Sequence, residues 1–337
     1  MNSATPLLTV VVPVFNTNEV LLKRCFSSLP FGDDRRFEAV VVDDGSSEET
    51  KRRLFDCAAI YGAHFNLFRQ DNMGQSAARR LGVRLAQGKF VMFLDSDDYV
   101  DTSAFVSLLD VLQTDSPDII GFNYEEVDEE GRTIRAFKRF DQPYADWDKR
   151  DLICTSCSLW GQVYRKGLVS EYLESAPGDL RIGEDLSVAV PVAVVARVQK
   201  GAALNVYRYV QHADSISHKV DERYVFDIVK AFSHAIGQLT PDSRHDFKDE
   251  LEWICILHVL IYGSTRAIGC FGSKRSCYVK LLSFVSSMYP SWKSNKYLMA
   301  QQYARFSDVR LAMNGHWRTY VAKKRLKDVL SELRRRA

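Results

Sequence analysis

No stretch of this 337-residue sequence is long and apolar enough to cross a bilayer. A spanning helix needs about 20 apolar residues, and the longest runs here are Val188 to Val198 and Trp253 to Tyr262. An excess of one charge is missing as well: 45 basic residues face 43 acidic ones, a formal net charge of +2. No global field therefore directs the chain to nucleic acid or to an acidic polymer, and nucleic acid is not an expected partner. A disulfide framework is also absent. The seven cysteines, Cys25, Cys57, Cys154, Cys157, Cys255, Cys270 and Cys277, are odd in number and scattered through apolar segments, as suits reduced thiols in a cytoplasm. Cys154 and Cys157 form a lone CxxC without a second pair, read as packing rather than as a zinc site. Neither GxxxxGK[ST] nor GxGxxG occurs, so phosphate binding cannot depend on a glycine cradle. The opening MNSATPLLTVVVPVF lacks the basic region and cleavage site of a signal peptide and is read as structure. Internal repeats and low-complexity segments are likewise missing.

What is present is a buried, alternating pattern. Hydrophobic residues make up 46% of the chain, enough for one large or two ordinary cores. Leu8 to Phe15 is a continuous valine-rich run, the mark of a parallel strand covered on both faces, and Pro13 can end its ladder near the tip. Leu21, Leu22, Cys25, Phe26 and Leu29 follow at helical spacing. Phe37 to Val42 is a second buried strand, ending in Asp43, Asp44, Gly45 and Ser46. Leu54 to Tyr61, Phe65 to Phe68, Ala77 to Ala86 and Phe90 to Leu94 extend the alternation of helix and strand. The pattern predicts an α/β, Rossmann-like fold: a mostly parallel open sheet with flanking helices, whose ligands bind where strands release their C-terminal ends. Asp128 to Gly131 reads as a turn between two edge strands. From Arg223 onward the pattern is helical. The expected division is a nucleotide-binding and catalytic domain over 1–222 and a helical C-terminal region over 223–337.

The acidic residues fall at strand ends. In KFVMFLDSDDYV, residues 89–100, a buried strand runs into Asp95, Asp97 and Asp98. One aspartate would suffice to cap the helix that begins near Thr102. Three raise one another's pKa unless donors or a cation neutralise them. In an extended segment, residues two apart point the same way, so Asp95 and Asp97 could share one hard cation, Mg²⁺ or Mn²⁺. Such a cation between carboxylates commonly holds a diphosphate. Asp44 could accept a hydrogen bond from a base or ribose, or could serve only the turn at Gly45.

The ordered segments TVVVPVFN, VVVDDGSS, NMGQSAARRLGVRLAQGKFVMFLDSDD, GED and SIS resemble the inverting glycosyltransferases of family 2, which have the GT-A fold. The most similar subset assembles bacterial capsules, exopolysaccharides and lipopolysaccharides. The resemblance covers residues 7 to 220. It implies that Pro13 and Phe15 line the nucleotide base, that Asp44 hydrogen-bonds the base, and that Asp43 sits beside the ribose. Arg79 would lie near the base or diphosphate, where a guanidinium can fork onto acceptor oxygens. Asp95 and Asp97 would be the DxD pair, Asp97 the direct ligand of Mn²⁺ or Mg²⁺. Arg80 departs from the family, which usually has asparagine there, and receives no catalytic role. Inverting transfer needs a base for the acceptor hydroxyl; Asp185 is named first and Glu184 second, while on local sequence both also suit a helix cap. Trp160 is placed against an acceptor sugar, since an indole face stacks on a sugar's apolar face, although it could equally be core. His212, with Ser215 and Ser217, resembles the segment that closes over the diphosphate, with His212 a third metal ligand or a phosphate donor; a surface histidine is the alternative, and His218 a substitute.

The resemblance thus implies a glycosyltransferase moving a hexosyl or N-acetylhexosaminyl group from a nucleotide-sugar donor, expected to be a UDP-sugar, to a glycan or lipid-linked oligosaccharide. In residues 316–337, eight basic residues (Arg318, Lys323, Lys324, Arg325, Lys327, Arg334, Arg335 and Arg336) face Asp328 and Glu332, beside an apolar stripe. That pattern suits peripheral contact with the inner face of the cytoplasmic membrane, or a packed helix with a solvated basic face. A haloacid-type phosphatase would need an aspartate after the first strand, where this chain has Val14, Phe15 and Asn16. A nucleotidyltransferase would need a glycine-rich first loop bearing lysine. An inactive nucleotide-sugar scaffold is the alternative of a different class.

Overall fold

The computed structural model of the chain describes residues 5–32, 34–180, 182–212, 222–271 and 275–300, with 318, 319, 321–323 and 326 of the tail; side chains at 222–225 and 268–271 fall outside that description. Two compact units compose it. The first comprises Met1–Leu152, Ser156–Gly178 and Val188–Ala213, the second Ile153–Thr155, Asp179–Ser187 and Asp214–Ala337.

The first unit opens with β1 (Leu8–Val14), α1 (Glu19–Ser27), β2 (Phe37–Asp44), α2 (Glu48–Tyr61), β3 (Phe65–Gln70), α3 (Gln75–Leu85) and β4 (Phe90–Phe93). Every residue of β1, β2 and β4 is buried, and the four strands pair in parallel in the order β3-β2-β1-β4. Continuous apolar runs and parallel pairing belong together, because helices must cover both faces. On one face Leu22 and Phe26 of α1 and Leu54 of α2 meet Val10, Val12, Phe37 and Met92. On the other, Ala78 of α3 packs with Val40 and Val42. Each buried valine, leucine, phenylalanine or methionine among them stabilises the fold by about 1.5–3 kcal/mol.

The chain continues through β5 (Tyr99–Val100), α4 (Thr102–Thr114), β6 (Ile119–Val127), β7 (Thr133–Phe137), β8 (Ala145–Asp146), α5 (Lys149–Thr155), β9 (Gln162–Arg165), α6 (Lys166–Ser175), α7 (Glu184–Val195) and β10 (Gln199–Val210). These strands extend the sheet as β9-β6-β10-β5. Here pairing is mixed: β9 is antiparallel to both β4 and β6, and β10 is parallel to β6. The expected turn at Asp128 to Gly131 is present, closed by the Gly131 amide on the Asp128 carbonyl at 2.9 Å. However, β6 is an interior strand between β9 and β10, so only β7 is peripheral. Arg80, without a catalytic assignment from the sequence, caps α6: its Nε and Nη2 donate to the Leu173 and Ala176 carbonyls, each at 2.8 Å.

Two glycines set how closely the segment after β7 lies on the sheet. Gly121 and Gly201 are register partners on β6 and β10, and the ring of Phe140 occupies the slot they leave. A Cβ at Gly121 would lie 2.8 Å from the Phe140 Cζ and 2.5 Å from Trp147. Asn123 fixes the same segment, accepting from the amides of Arg139 and Phe140 and donating to the Phe140 carbonyl. Gly201→Ala, whose Cβ would press on the same ring, should cost about 2 kcal/mol by overpacking and lower the melting temperature by roughly 4–8 °C. In a Phe140→Ala background the same change should cost almost nothing more, because the clash is gone; equal costs in both backgrounds would refute the slot.

The second unit is helical among its described residues: α8 (Glu222–Gly237), α9 (Pro241–Asp246), α10 (Lys248–Ile254), a π-helical stretch at Cys255–Tyr262, α11 (Gly263–Phe271), α12 (Arg275–Met288) and α13 (Lys296–Met299). Its core includes Trp253, Ile254, Cys255, Ile256 and Val259. Two buried carboxylates there are hydrogen-bonded, as burial demands: Glu250 accepts from Tyr297 at 2.5 Å and Glu252 from Asn295 at 2.8 Å. No helix among the described residues is long and apolar enough to cross a membrane. Most of the basic tail lies outside the described residues; of its apolar stripe, Val321 is buried and Leu326 exposed. None of the six cysteines whose side chains are described is in a disulfide.

Candidate active site

Parallel strands β1, β2 and β4 release their C-terminal ends side by side, and the loops there carry the acidic residues. Pro13 is buried within β1, opposite Val42, whereas Phe15, just past the strand, is 49% exposed. Asn16 then adopts φ 52°, a left-handed conformation that asparagine tolerates better than most residues. Its amide donates to the Ser46 hydroxyl at 3.0 Å and its side-chain oxygen accepts from the Ser47 amide at 2.8 Å. Thr17 and Ser96 share a hydroxyl hydrogen bond of 2.6 Å. The loop after β1 is thereby tied both to the loop after β2 and to the acidic turn after β4.

Asp43 and Asp44 are buried, 2% and 3% exposed, and each is held by several donors. Asp43 accepts from the Ser46 amide at 2.9 Å and forms an ion pair with Arg69. Asp44 accepts from the Gln70 side chain at 2.7 Å and from the amides of Met73 and Gly74, each at 2.9 Å. The carboxylates thus shape the surrounding turns. Gly45, at φ 74°, permits the approach of Asn72, whose nitrogen would lie 2.6 Å from a Cβ. The exposed side chains of Phe15 and Met73 flank this corner.

The sequence DSDD after β4 is a turn, not the extended segment expected: the Asp98 amide donates to the Asp95 carbonyl at 3.0 Å. Three aspartates have three different partners. Asp95 accepts from Arg79 Nη2 at 2.7 Å and from Gln75 at 2.9 Å. Arg79 is buried on α3, with its guanidinium 6.0 Å from the Phe93 ring centre; it lies on the acidic turn. Asp97 meets His212 Nε2 at 2.8 Å. Burial first, and the charge of Asp95 second, push the Asp97 carboxyl above its usual range, while His212 opposes the shift. Asp98 is fully buried and pushed up further, chiefly by desolvation and then by Asp97 and Asp95; it accepts from the Tyr207 hydroxyl and the Val210 amide, each at 2.7 Å. Helix capping falls to a fourth aspartate, Asp101, which accepts from the Ala104 amide at 3.0 Å.

Among the described residues no three His, Cys, Asp or Glu side chains converge into a ready metal cage. The residues nevertheless fit a hard divalent ion. A carboxylate whose ionised form is disfavoured by a neighbouring carboxylate gains from a cation, and carboxylate and water oxygens suit Mn²⁺ or Mg²⁺. Asp97 and His212 would hold it, with other positions left to diphosphate oxygens and water.

Trp160 is placed within the same unit. Its ring lies 4.7 Å from Tyr207, parallel to Tyr209 at 5.4 Å, and edge-on to Tyr124 at 4.8 Å. The structure thus brings Phe15, Asp43, Asp44, Arg79, Asp95, Asp97, His212 and Trp160 into one unit. Glu184 and Asp185 open α7, in residues grouped with the second unit. Both occupy the first turn, where carboxylates complement the helix dipole. Gly183 before them has φ 84° and packs on Ile228 and Ala231. Ser215, Ser217 and His218 lie outside the described residues.

Several participants went unnoticed in the sequence. Arg69 and Gln70 sit at register positions directly beside Asp43 and Asp44, so strand pairing would have found them. Gln75 follows the glycine that opens α3. Tyr207 comes from a strand far along the chain, and no local signal marks it.

Residues 9–173 match the family model described as glycosyl transferase family 2. EpsH of Bacillus subtilis (strain 168), named as a glycosyltransferase, is 26% identical over 267 residues, 75% of this chain and 75% of EpsH. EpsJ of the same strain, also so named, is 30% identical over 187 residues, and the chain spans 54% of its length. The glycosyltransferase GlyA of Streptococcus pneumoniae is 27% identical over 247 residues, of which the chain covers 34% of GlyA. Among solved structures, residues 1–349 of S. aureus TarS in complex with UDP-GlcNAc superpose on 95% of this chain and 90% of that one, with TM-score 0.68 at 17% identity, a likeness of fold. With acidic loops at the ends of parallel strands in a mixed open sheet of the GT-A kind, residues 9–173 belong to glycosyl transferase family 2, and the chain is a glycosyltransferase.

Proposed function

We propose that the protein transfers a hexosyl or N-acetylhexosaminyl group from a UDP-sugar to a hydroxyl of a glycan acceptor, with inversion and with a divalent metal, in the assembly of a bacterial surface polysaccharide. The observation that carries this reading is the Asp97–His212 pair on the turn after β4, beside the buried, pinned carboxylates after β2. The UDP-GlcNAc in the TarS structure supports a UDP-sugar donor. Phe15 flanks the base, and Asp43 and Asp44 hold the loops that receive base and ribose. Bound Mn²⁺ or Mg²⁺ would neutralise charge on the departing diphosphate. Asp97 and His212 would hold the ion, Asp95 and Arg79 brace the turn beside it, and Ser215 and Ser217 would contact the diphosphate. Asp185, with Glu184 second, takes the proton of the attacking hydroxyl. Trp160 carries the acceptor sugar on an aromatic platform. The acceptor is lipid-linked, and the basic tail at 316–337 rests on the inner face of the cytoplasmic membrane.

Melting the protein with UDP, GDP and dTDP, each with and without Mn²⁺, tests the donor site. Ligand at a hundred times its dissociation constant adds about 2.7 kcal/mol, a shift of several degrees. UDP with Mn²⁺ should shift the melt most. A Mn²⁺-dependent shift from GDP or dTDP instead reassigns the base, and no shift from any pair refutes the metal–nucleotide reading.

A further inference from the structure

Tyr207 is the residue through which the acidic turn is fastened to the rest of the sheet. It is fully buried on β10, and a buried phenol requires a partner, but one acceptor would be enough. Its hydroxyl instead works in both directions. It donates to Asp98 at 2.7 Å and accepts from the Asp95 amide at 3.2 Å, spanning the first and last residues of the turn. The same strand also holds on through the Val210 amide, which donates to Asp98, and the Val206 carbonyl, which accepts from the Asp101 amide at 2.9 Å. Two residues beyond Val210 comes His212, the partner of Asp97. One strand end therefore sets both sides of the Asp97–His212 contact.

The aim of Tyr207 is not that of a regular strand. The β10 register against β6 shifts between Ala202 and Asn205 and again between Asn205 and Tyr207, and such irregularities re-aim side chains. Past them, the Tyr207 ring lies 4.7 Å from Trp160. Core packing would be served by phenylalanine at this position. The hydroxyl is needed only by the turn.

We propose that Tyr207 is a positioning residue: its hydroxyl holds the Asp95–Asp98 turn in register with His212 and with the Trp160 platform, so that Asp97 meets a metal-bound nucleotide in one conformation. This inference rests on the donor-site reading above. Tyr207→Phe keeps the ring against Trp160 and removes only the hydroxyl. Calorimetric UDP binding, with Mn²⁺ and in EDTA, should show that Mn²⁺ improves affinity about tenfold less in Tyr207→Phe than in wild type, the worth of one hydrogen bond near a charged group. Affinity in EDTA should match wild type. A purely structural tyrosine would lower the melting temperature and leave the Mn²⁺ gain intact, which overturns the proposal. Should Tyr207→Phe not fold, Asp98→Asn, which keeps its side-chain oxygen on the Val210 N–H and turns its NH2 toward the Tyr207 hydroxyl, so that the hydroxyl loses its acceptor, replaces it with the same expectation and the same refuting outcome. A wild type that gains nothing from Mn²⁺ would overturn the donor-site reading itself, and this inference with it.

Discussion

Asp97→Ala should abolish Mn²⁺-dependent UDP binding and lower sugar transfer by at least about a thousandfold, with the fold retained. Two terms set the magnitude. A metal ion at a developing charge stabilises the transition state by several kcal/mol, and each 1.36 kcal/mol is a factor of ten. The fold should survive because the native structure already disfavours the Asp97 charge. Burial and Asp95 push its carboxyl above the usual range, so the side chain contributes less and less to stability as pH rises past the ordinary carboxylate range, and alanine should leave the melting temperature unchanged or raise it. Asp98→Ala supplies the contrast. Its carboxyl accepts from Tyr207 and Val210 in the buried base of the turn, and removing it leaves both donors unsatisfied at about 1–3 kcal/mol each. Calorimetric UDP binding and a thermal melt on both variants separate the roles. If Asp97→Ala melts well below wild type while still binding UDP with Mn²⁺, the carboxylate is structural and the metal assignment falls.

The sheet's first half was legible because burial on both faces writes itself as continuous valine-rich runs. Leu8 to Phe15 and Phe37 to Val42 lie within one or two residues of β1 and β2. The second half was not legible in the same way. β9 is four residues long and inserts antiparallel between β4 and β6, an order fixed by packing between distant segments rather than by any local period. The acidic loops announced themselves by composition, but their partners did not. Three aspartates at one strand end look alike in sequence, and only the tertiary structure assigns Asp95 to Arg79 and Gln75, Asp97 to His212, and Asp98 to Tyr207. The extended geometry expected for the DxD pair gave way to a turn, closed by the Asp98 amide on the Asp95 carbonyl. Capping was read correctly as a need of the following helix, yet Asp101 meets it, because a cap must sit immediately before the first helical residue, Thr102.

Asp185→Asn should reduce sugar transfer by about a hundred- to ten-thousandfold, the range that a positioned general base supplies, while UDP binding with Mn²⁺ stays within twofold of wild type. The asparagine keeps the size and the hydrogen-bonding oxygen that suit the first turn of α7, where Asp185 sits beside Glu184. It cannot accept a proton. Loss of a favourable charge at the helix N-terminus costs only about 0.3–1 kcal/mol, so a large kinetic loss with a small change in melting temperature separates base from cap. Glu184→Gln provides the internal comparison: if Asp185 is the base, Glu184→Gln loses far less, and if the ranking reverses, the proton goes to Glu184 instead. A base also leaves a signature in the pH profile. Transfer by wild type should rise with pH through the base's titration and then level, whereas the residual rate of Asp185→Asn should lack that limb. Equal rates and one shared pH profile for wild type and both variants would reduce the pair to a helix cap.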